Sequence, residues 1–274
     1  LQNHDELTYE LVHFATTHKD DLYVYHSEEI TGGGLARTIR QDLIDRLTGE
    51  SAPYNLIFTT NGIASTTGTV IAAALGYTRI DNLSDEQIHR IRQAHLLLAM
   101  FNSLQPGVFS ISGWDLLGML TVDPDEIAPL LETGDTRWIH RSSYDLMGFN
   151  DSEQPTTGMP EALSMYGPLP EQLRDPHSFV SQLRRILSIR RRYGIATSTQ
   201  VDVPEVSNKA MLVMVHELSH PGKHQVTVLN FAPDGIVGTI NSSHLVPRSV
   251  VFDMFTDEVL GEVDDLHSFS IALE

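Results

Sequence analysis

Cysteine is absent from the 274 residues, which removes disulfides and thiolate metal sites from consideration. That suits a reducing cytoplasm, the location expected for this chain. Positive charge is scarce as well: 18 Lys and Arg stand against 36 Asp and Glu, for a formal charge of −18. Such a surface repels nucleic-acid backbones and anionic lipid headgroups alike, so neither nucleic acid nor a membrane is expected as a partner. Apolar runs are short. No stretch approaches the roughly 18 residues of a spanning helix, and no basic segment followed by an apolar one marks a signal peptide within these residues. Tryptophan occurs only twice, at Trp114 and Trp138. What is present is a globular composition, with 41% hydrophobic residues, enough core for one large domain or two ordinary ones.

The first residues, Leu1-Gln2-Asn3-His4-Asp5-Glu6, crowd two carboxylates and an imidazole together. An isolated cluster of this kind is more often a helix N-terminus than a site. Here it stands where a parallel barrel presents its chemistry, at the carboxyl end of a strand whose apolar run is missing. The chain therefore reads as the C-terminal part of something larger.

Periodicity organises the remainder. Leu35, Ile39, Leu43 and Leu47 predict an amphipathic helix over 34–47. Residues 55–60 lean towards a strand, and an Ala-rich helix over 66–75 follows that Gly76 can cap. Ser84 and Gln87 form a capping box ahead of a long helix ending near Ser103, with Ile88, Ile91, His95, Leu98 and Asn102 along one face. Pro106-Gly107 ends it, Val108 to Ser112 reads as a buried strand, and Gly113-Trp114-Asp115 lies in the loop beyond. Helix, turn, strand and polar loop is the rhythm of an α/β barrel. Residues 121–175, rich in Pro, Gly, Asp and Ser, read as an irregular rim excursion, and 178–193 as a helix with Arg184, Arg185, Arg190, Arg191 and Arg192 on its outer face. After Ile195 the period shortens. Strands are predicted at 211–215, 225–229, 236–240, 250–252 and 269–273, as a small antiparallel β-sandwich. The expected fold class is thus the last part of a (β/α)₈ barrel, strands 7 and 8 with a long insertion, over residues 1–196, and a sandwich over 197–274.

Two further patterns carry less. His216-Glu217-Leu218-Ser219-His220 spells a metalloprotease motif, which needs both His on one helical turn. Its β-rich context would hold them about 13 Å apart, so no metal site is read there. Gly32-Gly33-Gly34 lacks the Lys-Ser/Thr ending of a phosphate loop and reads as a flexible lid segment.

Leu1-Gln2-Asn3-His4-Asp5-Glu6-Leu7-Thr8 resembles the seventh-strand motif of the α-amylase superfamily, glycoside hydrolase family 13, in the version trehalose synthases carry. The resemblance continues, in order, through 61–66 (Asn-Gly-Ile-Ala-Ser-Thr), 92–102, 105–109, 112–116 and 135–141, and covers nearly the whole chain. It implies that Asp5 is the family's third carboxylate, binding sugar hydroxyls and favouring the distorted ring of the transition state, with His4 donating a hydrogen bond at the same subsite. The family's nucleophilic Asp and acid/base Glu would lie on earlier strands, outside these residues, so the isolated chain is not expected to turn over substrate. Trp114 and Asp115 replace the family's usual loop after strand 8, as a rim contact or as loop packing. Arg137 and Trp138 sit where relatives approach the sugar, and suit either a pyranose or loop anchoring. The implied activity is isomerisation of maltose to trehalose, with residues 15–85 as a lid over the released glucose. Alternatives are hydrolysis or transfer on another α-glucoside, such as sucrose or a maltooligosaccharide, and a non-catalytic carbohydrate-binding role. No cofactor is expected, calcium belonging if anywhere to the preceding part. The expected partners are a disaccharide and either that part or a second copy.

Overall fold

The computed structural model describes residues 7–8, 13–149, 159–220 and 222–273. They fall into two compact units, Leu1–His95 with Ile111–Phe179, and Leu96–Ser110 with Val180–Glu274.

The first unit begins with β1 (Leu7–Thr8), followed by a hairpin of β2 (Leu22–Tyr25) and β3 (Glu28–Thr31). The hairpin turns through His26 and Ser27, both at positive φ, the turn geometry that matches strand twist. Helix α1 (Gly32–Leu47) starts where the Thr31 hydroxyl accepts a hydrogen bond from the Gly34 N–H. Gly32-Gly33-Gly34 is therefore the first turn of a helix and not a flexible lid segment. A Cβ on Gly32 would stand 2.0 Å from the His18 carbonyl oxygen, so close packing, and not mobility, requires the glycine. Strands β4 (Leu56–Thr59) and β5 (Gly62–Ala64) form a second hairpin, and β1 joins its far side by pairing Leu7 with Ile63. Helix α2 (Thr67–Ala74) is opened by a capping box between Thr66 and Thr69. Helix α3 (Asp85–Ser103) follows, with Ser84 and Gln87 exchanging the expected capping-box hydrogen bonds, and then one-turn helices α4 (Gly113–Leu117), α5 (Ala128–Leu131) and α6 (Leu169–Gln172).

Ala64, Met119, Val122, Ile127, Ile139 and Ala162 form the buried cluster of this unit, with Phe58, Trp114 and Trp138 packed against it. The excursion after residue 121 is irregular, as its composition implies, but it is fastened: the Val122 N–H donates to the Ile139 carbonyl and the Leu120 N–H to the Leu163 carbonyl. Residues 15–85, which also hold α1, α2 and the β2–β3 hairpin, contribute Ala64, Leu56 and Phe58 of the β4–β5 hairpin to that cluster. Part of this segment therefore supplies core.

The second unit opens with α7 (Phe179–Arg192) and continues through β6 (Thr199–Asp202), β7 (Met211–Glu217), β8 (His224–Asn230), β9 (Ile236–Asn241), β10 (Val250–Phe252), β11 (Val259–Glu262) and β12 (Ser268–Leu273). Sheets β6-β7-β8, β9-β12 and β10-β11 are all antiparallel and close on Met211, Val213, Ile240, Leu245, Val263 and Phe269. The other face of β7-β8 follows from the period of two, and carries Met214, Thr227 and the fully buried His216. His216 lies at the end of β7, an extended segment and not a helix. Within the same unit Ile186 and Ile189 of α7 pack with Leu104, Ile195 and Leu218.

Arg190 departs from the expected basic outer face. It is buried, and its guanidinium donates to the carbonyls of Ser103, Gln105 and Gly107, closing the C-terminal end of α3. Its neighbours are outward as expected: Arg192 pairs with Asp257 at 3.2 Å, and Arg185 lies over the Phe255 ring.

The described residues thus mix helices with small antiparallel sheets and form no barrel. Val108 to Ser112, expected as a buried barrel strand, has no ladder partner among them, and Val108 is 97% exposed. A parallel strand is buried only when neighbouring strands and helices cover both faces, and an apolar run carries no record of whether they do.

Candidate functional site

The candidate site in the first unit is built around α4. Ser112 and Asp115 cap each other there, the Asp115 carboxylate accepting from the Ser112 N–H at 3.3 Å. The helix stops after one turn because Gly118 takes a left-handed conformation with φ 60°. The Tyr166 ring lies 2.5 Å from where a Cβ on Gly118 would stand, so only glycine lets the tyrosine in. The turn thereby fixes the Asp115 carboxyl in the interior, where it also accepts from the Thr67 hydroxyl at the start of α2.

His95, buried on α3, stands beside this carboxyl. Its Nε2 stands 4.0 Å from Asp115 Oδ1, its Nδ1 is 3.2 Å from the Tyr166 hydroxyl, and its ring lies 4.4 Å from that of Phe179. Burial drives both charged forms out. It pushes the Asp115 carboxyl up to about 6, against the weaker pull of Thr67 and the Ser112 N–H, and pushes the His95 imidazole down to about 3. Burial also raises the Tyr166 hydroxyl, with Arg92 opposing and Asp115 reinforcing the shift. A carboxyl that changes charge near pH 6 beside a neutral imidazole is a pair whose environment separates proton donor from proton acceptor.

The remaining expected site residues divide. Trp114 packs on the Ala64–Ile139 cluster, 6.0 Å from the His140 ring, and its Nε1 has no hydrogen-bond partner. Trp138 packs on the same cluster. Arg137 donates to both carboxylate oxygens of Asp135 at 2.7 and 2.8 Å, and its guanidinium lies 4.3 Å from the centre of the Phe58 ring. The Arg137 hydrogen bonds hold the Asp135 carboxyl down at about 2. These contacts anchor the loop. His4 and Asp5 lie outside the described residues. Thr67, His95 and Tyr166 are the members that sequence reasoning did not select. His95 carried a signal, as a titratable residue on an otherwise apolar helix face, but nothing local named a partner 71 residues away.

Acid acts on this pair in two opposed ways, and the sign of each follows from its displacement. His95 is neutral when folded but takes a proton below its ordinary 6.5 when unfolded, so its contribution is lost progressively from pH 6.5 down to about 3. Asp115 acts oppositely: the folded state holds its proton from the ordinary 3.8 up to about 6, so its contribution declines as pH rises through that window. The two windows overlap between about pH 4 and 6, where the opposed effects largely cancel, so the melting temperature should change little across that range. His95→Gln should therefore make the melting temperature rise from pH 6 to 4, and Asp115→Asn should make it fall; a profile unchanged by either substitution would remove the pair from the acid response.

No family model matches the chain, and no curated protein matches it. Among solved structures it is similar to Eubacterium rectale Amy13B, with a TM-score of 0.46 and 17% identity over 77% of this chain. The match spans 37% of that protein's chain. No helix among the described residues is long and apolar enough to cross a membrane.

Proposed function

We propose that these residues are the C-terminal part of a retaining glucosyl enzyme that isomerises maltose to trehalose. The observation that carries the reading is the ordered series of motifs: the Asn3-His4-Asp5 run, then 61–66, 92–102, 105–109, 112–116 and 135–141. The packing is consistent with it, since Ala64, Trp114, Trp138 and Ile139 from three of those runs meet in one cluster, and His95 from a fourth meets Asp115.

In this reading the nucleophilic carboxylate and the acid/base carboxylic acid come from barrel strands that precede Leu1. The nucleophile forms an ester with C1 of the non-reducing glucose as the bond to O4 breaks, and the acid delivers its proton to that leaving oxygen. Asp5 and His4 hold the hydroxyls of the reacting ring and favour its flattened, positively charged transition state. The released glucose stays in place, turns, and attacks C1 through its own anomeric hydroxyl, whose proton returns to the acid/base residue. Trehalose forms with retention and the enzyme is restored. Water reaching the ester instead yields two glucose molecules, so the site must exclude it.

Product analysis by NMR after incubating maltose with a polypeptide that joins this chain to its preceding barrel strands tests the proposal. Trehalose as the main product, with minor glucose, is the expected result. Glucose alone, or longer maltooligosaccharides, would assign the chain to a hydrolase or to a transferase on other acceptors.

A further inference from the structure

The first unit carries an open surface depression of about 450 Å³ that no step above uses. Its floor is the extended segment from Glu161 to Ser164, held on one side by the Ala162 N–H donating to the Ser143 carbonyl and on the other by the Leu120 N–H donating to the Leu163 carbonyl. One wall is the turn from Asp145 to Gly148, where Asp145 Oδ1 accepts from the N–H groups of Met147 and Gly148 at 3.1 and 2.8 Å. The facing wall is Gly167-Pro168, and the Leu169 N–H donating to the Leu146 carbonyl ties the two walls together. Gly148 has a positive φ of 71°, and a Cβ there would press on the Pro168 ring at 3.0 Å. Backbone hydrogen bonds and a required glycine therefore fix the segments that line this depression before anything binds.

Its lining is of two kinds. Glu161, Asp145 and Ser164 present oxygen acceptors, whereas Leu163, 59% exposed, gives an apolar surface, and Phe149, 78% exposed, follows Gly148 directly in the wall turn. Carboxylates accept hydrogen bonds from neighbouring hydroxyls, and a solvated aliphatic or aromatic face suits the C–H side of a pyranose ring. A divalent cation is a poorer match, since it asks for six or more oxygen ligands, and among the described residues no three acidic or His side chains converge. The volume is of the order of the smaller ligand sites, roughly 300 to 1,000 Å³, and fits a disaccharide.

We propose that this depression binds a neutral α-linked disaccharide, with Glu161 as its principal acceptor and Leu163 beneath the ring. The choice of an α-glucoside rests on the glucosyl reading above; the depression itself does not. Titration of the isotope-labelled chain with maltose, followed by amide NMR, tests it. Maltose should shift the signals of Gly148 and of 161–164, and Glu161→Gln, which keeps the side chain's shape, should weaken the apparent affinity about tenfold, the effect of losing a hydrogen bond to a charged group. Leu163→Asp, at an exposed position whose loss does not threaten folding, should weaken it similarly. Shifts confined to other residues, or unchanged affinity in both variants, would overturn the site. The readout is binding without turnover, so the two proposals fail separately: trehalose formed with no shift at 161–164 removes this site alone, and a shift without trehalose removes the isomerase alone.

Discussion

Asp5→Asn, made in a polypeptide that supplies the preceding barrel strands, should cut turnover of maltose by about a hundred- to a thousandfold and leave the far-ultraviolet circular dichroism unchanged. The substitution exchanges one carboxylate oxygen for an amide nitrogen of nearly the same size, so the fold has little to detect. The transition state has much more. In the proposed mechanism, positive charge develops on the sugar ring as the glycosidic bond breaks, and the Asp5 carboxylate would hold the ring hydroxyls and stabilise that charge. If the negative charge acts chiefly in the transition state, kcat falls while KM changes little. Residual activity above about a tenth of the parent's would remove Asp5 from the mechanism.

Arg190→Met should cost the second unit about 3 kcal/mol, from lost charge-assisted hydrogen bonds and a buried carbonyl left without a donor. The carbonyls of Ser103, Gln105 and Gly107 are otherwise the unsatisfied end of α3 and its following turn, and one planar guanidinium reaches all three. Water can reach Gln105 and Gly107, but Ser103 is fully buried. The expected fall in melting temperature is more than about 10 °C for a unit of this size. Arg190→Lys should recover only part of it, because a single ammonium on a flexible stem cannot serve three acceptors at once. A loss below about 3 °C in the Met variant would show that the guanidinium is incidental to the fold.

The parts of the fold that could be read from the sequence are those where pattern and environment agree. Strand β7 reads as a nearly continuous apolar run because it is buried on both faces, and β8 beside it alternates in burial. Helix α1 announces itself through Leu35 and Leu47, both buried. Strand β11 could not be read that way, because Val259 to Glu262 are exposed throughout and carry no alternation. Val108 to Ser112 misled in the opposite sense: an apolar run records the side chains and not what covers them, and Val108 faces solvent. The triple glycine misled for a related reason, since glycine marks both freedom and tight packing, and at Gly32 the neighbouring His18 carbonyl decides.

The candidate site was legible as residues and not as an arrangement. Trp114, Asp115, Arg137 and Trp138 stood out by type and position. Their partners are set by tertiary contacts no local pattern encodes: Thr67 and His95 to Asp115, and Phe58 to Arg137. The Asp135–Arg137 clamp is local, two residues apart, and is the part of the site that spacing alone contains.

The central claim is that glucose released from maltose is recaptured before it leaves. Incubating unlabelled maltose with the complete enzyme in the presence of carbon-13-labelled free glucose measures that directly by NMR of the trehalose formed. Intramolecular transfer predicts trehalose that carries almost no label. Trehalose labelled in proportion to the free glucose, or unlabelled glucose accumulating with no trehalose at all, would contradict it.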